Sequence, residues 1–298
     1  MHQHIGPLVR ILPRVIERGV SLGRSERTAP APWGPFLAAL SALAMVGVLG
    51  LAATAYVALR TSQGIRLDRA ASDAVSSPVL VLDLLYGGLS QMSAGAVGLS
   101  LLTCVTLALV RRRLDLALGA LVVIGGANLT TQILKYDLFP SLDLGQGPIG
   151  RLPSGHTTVA LSIALAAVIV APSAWRSAVA IGVSATATLV GVALVLGRFH
   201  RPAEVIAAVF VCIGWAAVGV LTASLVSPRP PAPAPGVSVH MGALIGAALV
   251  GGLLVSWGVR PQPGLRDLWL GIISLGSIGL ACAGSVAAVA YVADRYLR

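Results

Sequence analysis

"RLPSGHTTVALSIALAAVIV", residues 151–170, places basic and polar residues directly before a long apolar run. Pro153 restricts the chain ahead of the run, and Ser154 belongs to the residue types that most often cap a helix N-terminus. The segment is therefore predicted to begin a helix close to Ser154. His156, which has a titratable ring, then lies at the start of an apolar helix. Residues elsewhere in the chain are needed to explain this position.

The composition of the 298-residue chain is that of a polytopic membrane protein. Hydrophobic residues make up 56% and charged residues 11%, and the mean hydropathy is +0.87. Soluble domains carry much more charge than this. The apolar runs recur at lengths of about 20 residues, long enough to cross a hydrocarbon layer of about 30 Å. They are continuous rather than alternating, which predicts an all-α protein instead of a β-barrel.

Eight apolar segments are predicted to span the membrane. They lie at about residues 36–59, 92–110, 114–134, 155–172, 177–196, 203–226, 238–257 and 268–293. The shorter segment 77–89 is predicted to be a re-entrant or interfacial helix, because it is too short to cross. The predicted organisation is thus a basic arm at 1–35, six spans within 36–226, a Pro-rich linker at 227–237, and two further spans with a short tail at 238–298.

The net charge of +10 is interpreted as a topology signal, and no nucleic-acid partner is expected. Basic residues collect on one side of the predicted spans, in the N-terminal arm, in "RRR" at 111–113, at Arg176 and in "DRYLR" at 294–298. The positive-inside rule makes that side cytoplasmic. The prediction is a multi-pass protein of the cell membrane with both termini in the cytoplasm.

The three cysteines carry no signal of metal binding or of a disulfide framework. Cys104, Cys212 and Cys282 all fall inside apolar runs, without metal-type spacing. We interpret them as small buried apolar residues.

Loop ends on the predicted extracytoplasmic side collect the residues of a candidate site. They are Lys135 after the third span, Arg151, Ser154, Gly155 and His156 before the fourth, and Arg198, His200 and Glu204 between the fifth and sixth. Free amides at a helix N-terminus, with nearby cations, favour binding of a phosphate. Two histidines can divide the roles of nucleophile and general acid. Glu204, four residues after His200, can hydrogen-bond one nitrogen of that ring.

Each of these features alone has an ordinary explanation. Pro-Ser before an apolar run is a common helix start, and a glutamate in a first turn complements the helix dipole. An arginine beside a membrane helix often anchors to lipid headgroups. The order, the spacing and the side of the membrane all agree, however, and this agreement favours a functional site.

The arrangement resembles the type 2 phosphatidic acid phosphatase (PAP2) superfamily. That family carries the motifs K-x6-R-P, P-S-G-H and S-R-x5-H-x3-D. The second motif is complete at residues 153–156, the third is present in part at 200–204, and the first is represented by Lys135. The resemblance covers about residues 36–226, so the last two spans lie outside it.

The resemblance implies a six-helix core that hydrolyses a lipid phosphate or a polyprenyl (pyro)phosphate, with no metal or other cofactor. His200 would be the nucleophile that becomes a phosphohistidine, Glu204 would orient it, and His156 would protonate the leaving oxygen. Lys135, Ser154 and Gly155 would hold the phosphate. The substrate would come from the surrounding membrane lipids, at the extracytoplasmic face.

Departures from the family motifs leave a second interpretation open. Ser141-Leu142 stands where the first motif has R-P, and Leu194 stands where the third has arginine. Arg151 and Arg198 are the nearby candidates to replace those cations in substrate binding. The alternative is a catalytically degenerate relative that binds a lipid headgroup or scaffolds a membrane complex.

Overall fold

The computed structural model describes residues 33–90, 94–139, 152–233 and 237–298. Its helices are α1 (Trp33–Arg60), α2 (Ser62–Asp73), α3 (Val79–Ser90), α4 (Ala94–Val110), α5 (Leu114–Ile133), α6 (Gly155–Val170), α7 (Arg176–Leu196), α8 (Pro202–Val226), α9 (Val237–Ser256) and α10 (Leu265–Tyr296). A π-helical turn, Leu134–Leu138, extends α5. Two short strands, β1 (Val75–Ser76) and β2 (Arg260–Pro261), pair antiparallel. Most of the N-terminal arm and Arg151 lie outside the described residues.

The predicted apolar spans correspond to α1 and to α4 through α10. Among the described residues, five helices are long and apolar enough to cross a membrane, namely α1, α5 with its π turn, α7, α8 and α10. The apolar parts of α4, α6 and α9 are shorter by the same measure. The chain is therefore an all-α protein with the helices of a multi-pass membrane protein.

The segment between α1 and α4 contains two short helices. Helix α3 matches the segment 77–89 for which a short helix was predicted. Helix α2 was not predicted, because its sequence "SQGIRLDRAASD" is polar and the prediction followed apolar runs. Thr61 caps α2, its side chain accepting a hydrogen bond of 3.0 Å from the Gly64 N–H. The polar segment after α1 is thus a capped helix.

Helix α8 lies at the centre of the bundle, packed against α1, α5, α6 and α10. Small residues allow its backbone to approach its neighbours closely. A Cβ atom added to Gly219 would stand 2.8 Å from the carbonyl oxygen of Gly119 on α5. Close backbone approach at small residues is the usual way in which membrane helices pack.

The last two helices share the hydrophobic core of the others. Helix α10 packs against α6, α7 and α8, and α9 packs against α7. Ile278, Cys282 and Val286 of α10 are fully buried. The boundary predicted between six spans and two spans stays a prediction, since the packing here is continuous.

Ion pairs hold the end of the bundle that is formed by the ends of α4, α8 and α10. Arg113 and Arg229 both donate to Asp115, at 2.9 and 2.8 Å. Arg113 also donates to the carbonyl of Leu297 at 2.7 Å. The basic residues interpreted as topology signals therefore also serve as structural partners at this end.

Candidate functional site

The two histidines of the candidate site meet at the opposite end of the bundle. His156 lies in the first turn of α6, and His200 lies in the turn between α7 and α8. Their ring centroids are 6.3 Å apart, with ring planes inclined by 60°. Two imidazoles at this separation can both reach one phosphoryl-sized group placed between them.

His200 is held by Glu204. Its Nδ1 atom pairs with Oε2 of Glu204, one turn further along the chain. The Glu204 side chain is buried, so the contact is shielded from water. A carboxylate at Nδ1 fixes the tautomer with the proton on Nδ1, which leaves the Nε2 lone pair for another group.

Ser154 caps α6 as predicted, and it also ties α6 to α8. Its hydroxyl oxygen accepts from the Thr157 N–H at 3.4 Å and from the Thr157 hydroxyl at 3.1 Å. Its own backbone N–H donates to the carbonyl of Glu204 at 3.0 Å. Ser154 is fully buried, and the hydrogen bonds of its hydroxyl oxygen stabilise the start of α6.

Lys135 stands beside the start of α6. The π turn that extends α5 carries it there, and a Cβ atom added to Gly155 would lie 4.0 Å from its Nζ atom. An ammonium group and the first amides of α6 thus face the same space, which favours an anion. Arg151 lies outside the described residues, and its role stays a prediction.

Arg198 is engaged elsewhere in this structure. The residue adopts a left-handed backbone conformation with φ of 57°. Its guanidinium pairs with Asp73 at the end of α2, and the two side chains are 60% and 53% exposed. Leu194, at the position of the family's arginine, is an apolar residue buried in α7. Neither position therefore places a cation directly on the two histidines here.

A polar cleft of about 440 Å³ opens on one side of His200. It is lined by Arg69, Ser72, Asp73, Arg198, Phe199, His200, Arg201 and Glu204. Three of these residues belong to α2, the helix that sequence analysis did not predict. Arginines line the cleft from both α2 and the α7–α8 turn, alongside the carboxylates of Asp73 and Glu204.

Asp68 of α2 is a further residue at the site that sequence reasoning missed. Its Oδ1 atom accepts a hydrogen bond of 2.9 Å from the N–H of Ala203, in the first turn of α8. Burial raises the pKa of Asp68 to about 6, the Ala203 hydrogen bond opposes this, and the charge of Glu204 adds to it. The sequence signal was weak, because Asp68 is one charge in a polar segment without a motif.

The assembled groups suit binding of an oxyanion and proton transfer. They are two imidazoles, a buried carboxylate, an ammonium group and a helix N-terminus. Within the described parts of the chain, no group of three His, Cys, Asp or Glu side chains is placed to hold a metal ion. The metal-independent chemistry implied by the family resemblance stays a prediction.

No family model, curated protein or solved structure matches this chain. The resemblance to the PAP2 superfamily therefore remains a prediction that depends on the motifs alone. The geometry of the site does not depend on the motifs, because the fold brings together residues, such as His156 and His200, that lie far apart in sequence.

Proposed function

We propose that the chain is a PAP2-like phosphatase of the cell membrane that hydrolyses a lipid phosphate or a polyprenyl (pyro)phosphate at its extracytoplasmic face. The supporting observation is the pairing of His200 Nδ1 with the buried Glu204, together with the 6.3 Å between the His156 and His200 rings. A nucleophile with a fixed tautomer and a second titratable ring beside it are the parts that two-step phosphoryl transfer needs.

The chemistry follows from these positions. Nε2 of His200 attacks the phosphorus atom, and a P–N bond forms as the P–O bond to the lipid breaks. Protonated His156 gives its proton to the departing oxygen. Neutral His156 then takes a proton from water, which attacks the phosphohistidine and releases inorganic phosphate. Glu204 stabilises the charge on the His200 ring, while Lys135 and the amides of α6 stabilise the phosphoryl oxygens.

An apolar groove supports a lipid as the substrate. It has a volume of about 430 Å³ and runs between α3, α6 and α7. Val159 and Ile163 line it from α6, one and two turns after His156, and Leu85 and Leu189 line it from α3 and α7. A chain in this groove would bury apolar surface while its phosphate lies near the histidines.

A second candidate is a non-catalytic protein that binds a lipid headgroup. Two observations favour it. Leu194 puts a buried apolar side chain where the family has an arginine, and Arg198 is paired with Asp73. Phosphoryl transfer depends on cations that stabilise the extra charge of the transition state, so the absence of a cation at these positions weakens catalysis more than it weakens binding of a headgroup.

Release of phosphate from lipids distinguishes the two candidates. The purified protein in liposomes, with EDTA present, should release inorganic phosphate from at least one lipid in a panel of lipid monophosphates and diphosphates. His200→Ala should abolish release, because it removes the nucleophile. His156→Ala should slow release most for poor leaving groups, which need a proton most.

His240→Ala is the matched control. His240 stacks on Tyr291 at a ring distance of 5.7 Å and lies in α9, so its loss should leave release unchanged. Turnover of the unmodified protein no higher than that of His200→Ala, on every lipid tested, would favour the headgroup-binding protein.

A further inference from the structure

We propose that Asp68 is a positioning residue of this site, which holds Glu204 and His200 in place by capping α8 from α2. The kinetic test of this role rests on the proposed function, because it measures release of phosphate. The contact between Asp68 and α8 does not depend on that function.

The N-terminus of α8 lacks a cap of its own. Arg201 occupies the N-cap position and makes no side-chain capping bond, and Pro202 has no N–H to donate. Ala203 carries an early amide of the helix that needs an acceptor. Asp68 supplies one at 2.9 Å, from a residue 135 positions away. A carboxylate suits this place because it also faces the positive end of the helix dipole.

The capped turn is where the parts of the site connect. Glu204 directly follows Ala203, and its carboxylate binds His200. Its carbonyl accepts the Ser154 N–H, at the start of α6. A shift of this turn would therefore displace the carboxylate that binds the nucleophile, while the start of α6 keeps its own cap at Ser154. Displacements of about 1 Å at a catalytic group are enough to reduce rates by about 100-fold.

The ion pair between Asp73 of α2 and Arg198 is a weaker constraint on this region. Asp73 and Arg198 form an ion pair that is more than half exposed on both sides. Such pairs contribute little in water, since solvent screens them. Asp68 is only partly exposed, so its hydrogen bond is the better-shielded link between α2 and α8.

The kinetic test compares Asp68→Ala and Asp68→Asn in liposomes. Asp68→Ala should lower kcat by about 10- to 100-fold, with KM changed by less than about threefold, because the nucleophile is misplaced while phosphate binding remains. Asp68→Asn should keep kcat within about threefold of that of the unmodified protein, since the amide oxygen can accept the same hydrogen bond. Asp83→Ala and Asp83→Asn, on the exposed face of α3, are the matched controls and should change neither constant.

A milder variant covers the case in which Asp68→Ala does not fold. Asp68→Glu keeps the charge but moves the oxygens by about one bond, so kcat should fall by about three- to tenfold with a normal gel-filtration profile. Unchanged kcat in Asp68→Glu, or an Asp68→Asn variant as impaired as Asp68→Ala, would overturn the proposal. The second result would mean that the charge and not the hydrogen bond matters.

Chemical labelling of His200 gives a readout that needs no turnover. The rate at which diethyl pyrocarbonate modifies His200, measured by mass spectrometry, should change by more than about threefold in Asp68→Ala and not in Asp83→Ala. If the unmodified protein releases no phosphate but Asp68→Ala still alters this rate, the proposed function fails and the positioning role stands. Equal labelling rates in the two alanine variants would overturn the positioning role.

Discussion

Asp68 and Glu204 show how two carboxylates near one helix start can have different uses. Glu204 binds a histidine ring, and Asp68 accepts from a backbone amide. Burial raises the pKa of Asp68, and the charge of Glu204 adds to this effect. The arrangement places negative charge beside the nucleophile, where a developing imidazolium needs it.

Raising the pH from about 4 to 6 should reduce the contribution of Asp68 to the free energy of unfolding. Burial raises the pKa of Asp68 from 3.8 to about 6, so the folded chain retains a proton that the unfolded chain releases. This contribution is fully present below the unfolded pKa and is lost as the pH rises through the folded pKa. In detergent, the apparent Tm of Asp68→Asn should therefore fall less than that of the unmodified protein between pH 4 and 7. Parallel Tm curves for the two proteins would contradict this.

Local residue patterns were predictable from the sequence, and long-range partners were not. The cap at Ser154 and the position of Glu204 one turn after His200 depend on spacings of a few residues. The partner of Arg198 was out of reach, because Asp73 lies 125 positions earlier. A single sequence carries no record of such a pairing. The ion pair of Arg198 with Asp73 of α2 was therefore not predicted, and the role of Arg198 in substrate binding stays a prediction.

At the scale of helices, glycine positions determine how closely α5 and α8 approach. Gly119 and Gly219 face each other so closely that a Cβ on either would lie within 2.9 Å of the other's carbonyl oxygen. Apolar length predicted both helices, but it carries no information on which faces meet. The polar helix α2 was missed for the reverse reason, since it has an amphipathic pattern and no long apolar run.

Gly219→Ala should destabilise the packing of α5 on α8. The added Cβ would stand 2.4 Å from a methyl of Val123 and 2.8 Å from the carbonyl of Gly119, so backbone has to move. Overpacking of this kind costs about 1–3 kcal/mol. Gly214→Ala on the same helix is the control, because its Cβ meets nothing within 4 Å. Both changes share the gain in helix propensity, so the apparent Tm in detergent should be lower for Gly219→Ala. Equal values would show that the two helices separate easily.

For the whole molecule, arginines and the last helix close one end of the bundle. Arg176 is buried and pairs with Asp294 of α10, and it also donates to the carbonyls of Val168 and Ala171 at 3.0 and 2.8 Å. Removing one partner of a buried pair costs about 3–5 kcal/mol. The last helix is therefore attached to the end of α6 by polar contacts as well as by packing. The sequence predicted that these arginines lie on one side of the spans, but it gave no indication that Arg176 pairs with Asp294 or with backbone carbonyls of α6 and the turn after it.

The orientation of the bundle in the membrane stays a prediction from the placement of the basic residues, and labelling can test it. We expect the end with α2 and the histidines to face outward, because the opposite end carries the clusters that the positive-inside rule keeps in the cytoplasm. Cys104, Cys212 and Cys282 are buried, so an introduced cysteine can report its side. In intact cells, a membrane-impermeant maleimide should label Ser62→Cys at the start of α2. Pro230→Cys, exposed at the opposite end, should react only after permeabilisation. The reverse pattern would place the histidines in the cytoplasm, and a substrate at the outer face would then be excluded.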